Sequence, residues 1–84
     1  MAIKGEQAEI IEALAMETSD IVNKPLKQLS LPKGAILAGI IREEKIIIPS
    51  GASVINPGDR ILIFAKRNAI PKIEKILMVK LEYF

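Results

Sequence analysis

The side chains able to do chemistry in this chain are few, and the first fact about them is what is missing. Among 84 residues there is no histidine and no cysteine. That removes the commonest general acid–base group, the thiolate nucleophile and the usual ligands of zinc. Thr18, Ser19, Ser30, Ser50 and Ser53 therefore have no imidazole to activate them, and no lysine stands at a recognised spacing to replace one. No catalytic residue is expected, and the chain does not read as an enzyme.

The carboxylates point the same way. Glu43 and Glu44 are adjacent, but neighbours at a hairpin tip point apart and stay in water. Glu9 and Glu12 could hold a cation only if further oxygen ligands were assembled across an interface, and no Asp-x-Asp spacing supports this. A solvated strand face is the simpler reading, so no metal site is expected. Asp59 follows Pro57-Gly58 and is expected to cap its own turn by a side-chain to backbone hydrogen bond.

The cations offer more. Lys33 sits beside Gly34 at the start of an aliphatic run, while Arg42 ends that run and Arg60 begins another. A guanidinium at a sheet end can grip a phosphate through paired N–H groups, and a lysine beside a glycine also suits an anion. Each of these charges alone reads more simply as a flanking group in water. Together, Lys33, Gly34, Arg42 and Arg60 are the candidate ligand-binding residues. Lys66, Arg67, Lys72 and Lys75 surround the last helical stretch, but no aromatic residues interleave with them and Glu74 offsets the charge. A nucleic-acid partner is not expected.

The elements that position these residues follow from hydrophobic patterning. A chain of 84 residues forms one domain, half of it hydrophobic, with isoleucine dominant and only 4% aromatic. The net charge of +2 is too small to name a polyanionic partner, and no apolar run is long enough to span a bilayer. The absence of cysteine fits a reducing, intracellular compartment. Residues 6–16 (EQAEIIEALAM) are helix formers by propensity, yet they also read as a strand with Ala8, Ile10, Leu14 and Met16 on one face. Asn23 is a plausible N-cap for a two-turn helix beginning at Lys24-Pro25 and stopped before Pro32.

Residues 35–42, 45–49 and 60–66 are β-branched runs bounded by turn residues. Glu43-Glu44 makes a tight hairpin from poor turn residues, and Asn56-Pro57-Gly58-Asp59 makes a strong turn. Asn68 is placed to cap a final helix with Ile70, Ile73, Ile76 and Leu77 as its buried stripe. In the run 35–42, simple alternation puts Ile36, Ala38 and Ile40 on one face and Ala35, Leu37 and Ile41 on the other. In 60–66, Leu62 and Phe64 lie opposite Ile61 and Ile63. Both faces are thus apolar, more than one small chain can shelter, so a second copy is expected against the sheet.

From Ile21 onward these pieces resemble the TrkA C-terminal (RCK_C) domain family. The likeness is carried by the short helix KPLKQLSLP and by Pro32-Lys33-Gly34 leading into an aliphatic strand. A hairpin into Ile46 and Gly51 follows, then the Pro57-Gly58-Asp59 turn, an Ile-Phe strand and a closing amphipathic helix. Upstream, AEIIEALA (residues 8–15) is similar to the segment that opens the last such domain in potassium-uptake members.

The resemblance implies that residues 8–16 form an edge strand rather than a helix. It implies an α+β fold, a small mainly antiparallel sheet with one short and one longer helix, spanning residues 6–77 with a tail at 78–84. The implied function is a ligand-sensing and dimerisation domain of a cytoplasmic potassium-transport subunit. Such a subunit lies at the inner face of the membrane and gates a membrane-embedded transporter or channel. The effector would be a small molecule or ion, with no cofactor in the domain itself.

The nucleotide-binding domain that usually precedes such a domain is absent from this chain, whose five glycines form no Gly-x-Gly-x-x-Gly. Some relatives bind cyclic di-AMP through arginine and asparagine in a longer loop before the first aliphatic strand. Residues 31–36 here carry neither and are shorter. Two alternatives remain: a purely structural dimerisation module, or a small β-barrel carrier or oligonucleotide-binding module built on the same Pro-Gly-Asp turn.

Overall fold

The structure, a computed structural model, describes residues 8–77. Four strands form one sheet: β1 (Ala8–Leu14), β2 (Ala35–Arg42), β3 (Lys45–Ile47) and β4 (Arg60–Lys66). Their order is β1-β4-β2-β3 and every pairing is antiparallel. One helix, α1 (Ile70–Leu77), follows a 3-10 turn at Arg67–Ala69, and a second 3-10 turn lies at Leu26–Gln28. The α+β architecture is the one expected. Among the described residues the sheet is open at β1 and β3, unlike the closed barrel of the second alternative. The expected tail at 78–84 lies outside the described residues.

β1 forms despite its helix-forming composition because pairing with β4 buries what a helix could not. Its register sets Ile11 against Ile63 and Ala13 against Ile61. α1 lies over this same face of the sheet. Ile11, Ile40, Ile61, Ile63, Ile70, Ile73 and Leu77 are at most 1–2% exposed and form one cluster. Each fully buried isoleucine contributes roughly 2–3 kcal/mol of transfer free energy, so this layer is what stabilises the domain. Ile70, Ile73 and Leu77 face the core as their spacing predicts, with Ile76 packed at the margin.

β2 departs from simple alternation. Its register with β4 runs Ile36 to Phe64 and Leu37 to Ile63, then skips Ala38 and resumes with Gly39 to Leu62 and Ile40 to Ile61. The extra residue is a β-bulge, which sets two residues of one strand against one of its partner. Leu37 and Ile40 therefore share the core face, while Ile36 and Ile41 lie on the opposite one. Ile36 is 61% exposed and Ile40 is 0%. The expected grouping of Ile36 with Ile40 is corrected by this bulge, which no periodicity reveals.

The two expected N-caps are also corrected. Asn23 adopts φ 66°, the left-handed region in which asparagine is enriched, and does not cap a helix. The two-turn helix shrinks to one 3-10 turn because its amides are taken elsewhere. Leu26 donates to the Ser53 carbonyl at 2.9 Å and Lys27 to that of Gly51 at 3.0 Å. At the other end, Asn68 sits inside the 3-10 turn that leaves β4 directly, with no side-chain cap present. The C-terminal end of α1 is tied instead by Ser19, whose hydroxyl donates to the Ile76 carbonyl at 3.0 Å.

The β2–β3 hairpin turns on Glu43 and Glu44 at φ 51° and 66°. Both central residues of a type I′ turn need positive φ, which Asn-Gly supplies at low cost and glutamate does not. Replacing the pair by Asn-Gly is expected to stabilise the domain by about 1 kcal/mol. A thermal melt that rises by about 5 °C would agree, and one that falls would show that the glutamates hold the turn in another way.

Candidate functional site

The four candidate residues separate into two pairs at opposite ends of the sheet. Antiparallel pairing of β2 with β4 brings the start of one strand to the end of the other, so Ala35 meets Ala65 while Ile41 meets Arg60. Lys33 and Gly34 therefore lie at one end, Arg42 and Arg60 at the other, and the four do not converge on one ligand.

At the second end, Arg42 is already engaged. Its Nε donates to Asp59 Oδ1 at 3.0 Å, and its Nη2 donates to Asp59 Oδ2 at 2.7 Å and to the Val54 carbonyl at 2.9 Å. Asp59 is only 4% exposed, and its Oδ2 also accepts the Asn56 amide at 2.9 Å. The expected cap of the turn is there, with an ion pair added to it. The Arg42 hydrogen bond holds the Asp59 carboxyl below its ordinary pKa, the Asn56 amide assists, and burial opposes both. Arg42 thus clamps the end of β2 to the 56–59 turn. Arg60 is 61% exposed and makes one long contact, 3.4 Å, to Glu12.

At the first end a cleft opens. Pro32 to Ala35 form a turn in which the Ala35 amide donates to the Pro32 carbonyl at 3.2 Å, and Gly34 takes φ 93° as the third residue of a type II turn must. The Lys66 amide donates to the Gly34 carbonyl at 2.8 Å, continuing the ladder past the strand. Where a Cβ on Gly34 would stand, the stem of Lys66 passes 3.5 Å away. Lys33, Gly34, Lys66, Asn68, Ala69 and Lys72 enclose an open volume of about 480 Å³. Sequence reading found Lys33 and Gly34 but left Lys66 and Lys72 as charges around the final helix and Asn68 as its expected cap. The antiparallel register that sets Lys66 beside Gly34 is the signal that would have joined them.

Beside this cleft, Arg67 donates to Glu9 Oε1 at 2.6 Å, tying the 3-10 turn to β1. Glu9 is 2% exposed, and the Arg67 hydrogen bond lowers its pKa against the opposing effect of burial. It is an internal ion pair rather than the solvated strand face expected. Among the described residues no group of His, Cys, Asp or Glu could hold a metal ion.

The sheet face away from α1 is the third feature. It carries Ile10 and Ile36 on either side of Phe64, and Ile41 beside Ile46. Ile36 is 61% exposed, Ile46 69%, Leu14 51%, and Ile48 just past β3 79%. Among the described residues no element packs over this face.

An open antiparallel sheet backed by one helix, with an apolar face that no other described element covers and a lysine-lined cleft at its rim, defines a small α+β domain. The chain belongs to the TrkA-C domain family, whose model matches residues 10–78. A Trk system potassium uptake protein TrkA homolog of Methanosarcina mazei is 46% identical over 74 residues, which is 88% of this chain and 16% of that protein. The TrkA protein of Azorhizobium caulinodans is 38% identical over 76 residues, 90% of this chain and 17% of that protein. The chain therefore spans about one sixth of the length of these relatives.

Among solved structures, the RCK_C domain dimer of S. agalactiae BusR in complex with c-di-AMP superposes with a TM-score of 0.73 at 24% identity, covering 86% of this chain and 99% of that one. The same protein in complex with its busA-promotor DNA gives 0.75 at 23%, covering 95% and 42%. At these identities the likeness is one of fold. No helix among the described residues is long and apolar enough to cross a membrane.

Proposed function

We propose that this chain is the ligand-sensing, dimerising regulatory domain of a cytoplasmic potassium-transport subunit, which signals to a membrane-embedded transporter or channel. The observation that carries the reading is the bare sheet face, with Ile36 61% and Ile46 69% exposed. Contiguous exposed apolar residues of this kind mark association surfaces, and a second copy with the same face covers them by two-fold symmetry. The BusR domain of like fold is a dimer in complex with c-di-AMP, and the full-length relatives belong to potassium uptake systems. An effector that binds one arrangement of the dimer better than another shifts the population by its differential affinity, and the membrane subunit reads that shift.

The domain is taken as residues 6–77. Lys33 and Gly34 mark its ligand end, and Arg42 serves the fold through Asp59. Sedimentation of the chain at micromolar concentration is expected to give twice the monomer mass. In cells, a variant that cannot dimerise is expected to lose control of potassium uptake. A monomer throughout, with transport control intact, would remove the proposal.

A further inference from the structure

We propose that Glu12 and Arg60 select the partner of the bare sheet face. Each Arg60 pairs across a two-fold axis with the Glu12 of a second copy, so the face accepts its own kind in one orientation and rejects an apolar sheet that lacks the pair. This rests on the dimeric reading of the domain and names what chooses the second subunit.

Strand alternation and burial place both residues on this face. Ile11, Ala13 and Ile61 are buried in the core, so Glu12, between the first two, and Arg60, beside the third, lie on the opposite side. Their surroundings are apolar. Leu14 and Ile41 flank Arg60 in one row across the sheet, and Leu62 opposes Glu12 in the next. The row of Phe64 beyond them carries no charge, which leaves Glu12 and Arg60 as the only charged residues in the three rows.

Within one chain a single long contact joins them, Arg60 Nη1 to Glu12 Oε2 at 3.4 Å, with side chains 61% and 31% exposed. A guanidinium and a carboxylate each have several more hydrogen-bonding positions than this contact uses, and in the single chain those positions face water. Covering the face removes that water, and a buried charge without hydrogen bonds is costly. On a second copy with the same face, the groups able to replace the water are its own Arg60 and Glu12. A two-fold axis makes the exchange reciprocal: where one Arg60 reaches the other chain's Glu12, the return contact forms as well. Four charges of alternating sign then share one dry patch. An arrangement that sets Arg60 on Arg60 is repelled, and an apolar face without the pair leaves both charges unmatched.

The test uses the whole chain as Glu12→Arg and as Arg60→Glu. Sedimentation velocity is run over a wide range of concentration on the parent, on each variant alone and on their equimolar mixture. Each variant alone meets like charges across the axis and is expected to self-associate at least about 100-fold more weakly than the parent. Mixed, each supplies the charge the other has lost, and the mixed dimer is expected to form within about tenfold of the parent's affinity. A chain carrying both changes is expected to dimerise with itself and not to exchange subunits with a fluorescently labelled parent. Unchanged far-ultraviolet circular dichroism shows each subunit intact, as the exposure of both side chains leads one to expect. Variants that associate as tightly as the parent, or a mixture no tighter than its components, overturn the proposal, because a pair closed within its own chain is not rescued by another. Free exchange between the doubly changed chain and the parent overturns it too. If the parent is a dimer in those cases, the dimeric reading stands and the selectivity alone is lost; a parent that sediments as a monomer removes both.

Discussion

Asp59→Ala is expected to destabilise the domain by about 2–3 kcal/mol and to lower its melting temperature by about 10–20 °C. One carboxylate, 4% exposed, accepts from the Arg42 guanidinium and from the Asn56 amide. Its removal leaves the Arg42 charge beside the Val54 carbonyl with no counter-ion and leaves the Asn56 amide without its acceptor. The value lies below the roughly 3–5 kcal/mol of a fully buried pair because the Arg42 side chain is 34% exposed and water replaces part of the loss. Asp59→Asn keeps an acceptor for Asn56 and is expected to lose roughly half as much.

Acid should have the same effect without mutation. The pKa of Asp59 is lowered in the fold by Arg42, and that of Glu9 by Arg67. The folded state therefore binds fewer protons at these groups than the unfolded chain does. Their stabilisation is complete above the ordinary carboxylate value, about 4, and drains away as the pH falls through the lower folded values. With no histidine in the chain, no side chain of ordinary pKa titrates between about pH 6 and 8. Melting temperature against pH should fall on the acid limb, and Asp59→Ala should flatten that limb. A variant that melts within about 2 °C of the parent at neutral pH would show that the clamp contributes nothing.

Ile36→Asp should weaken dimerisation by at least about 100-fold while leaving the fold of each subunit in place. Ile36 stands opposite Phe64 on the bare face and is 61% exposed in the single chain, so a polar replacement costs the monomer little. In a dimer that covers this face the aspartate would be buried with no cation across the sheet row, where its neighbours are Phe64 and Ile10. Sedimentation velocity over a hundredfold range of concentration separates the two states, and unchanged far-ultraviolet circular dichroism shows the subunit intact. An undiminished dimer would place the interface elsewhere.

Local chemistry made much of this fold readable. The runs 35–42 and 60–66, the Asn56-Pro57-Gly58-Asp59 turn and the Ile70, Ile73, Leu77 stripe depend on residues close in sequence, and all of them stand where patterning puts them. β1 did not come from propensity, since Ala, Glu and Leu favour helix there. Only the family resemblance made it a strand, because its partner β4 lies some fifty residues on. The caps at Asn23 and Asn68 failed because segments far along the chain took the amides or left no loop to cap. Half of the candidate site was hidden for the same reason. Arg42 is paired with a residue 17 positions away, and Lys66 joins Gly34 only through a strand register.

The bulge at Ala38 has a genetic corollary. Leu37 and Gly39 already face consecutive residues of the neighbouring strand, Ile63 and Leu62. An in-frame loss of codon 38 would therefore leave every later side chain of β2 on its present side, at the cost of the local bend. Loss of codon 40 would instead turn the remainder of the strand inside out, carrying Ile41 inward and Arg42 away from Asp59. Within this strand, length variation among descendants should therefore gather at position 38 and be purged two codons later.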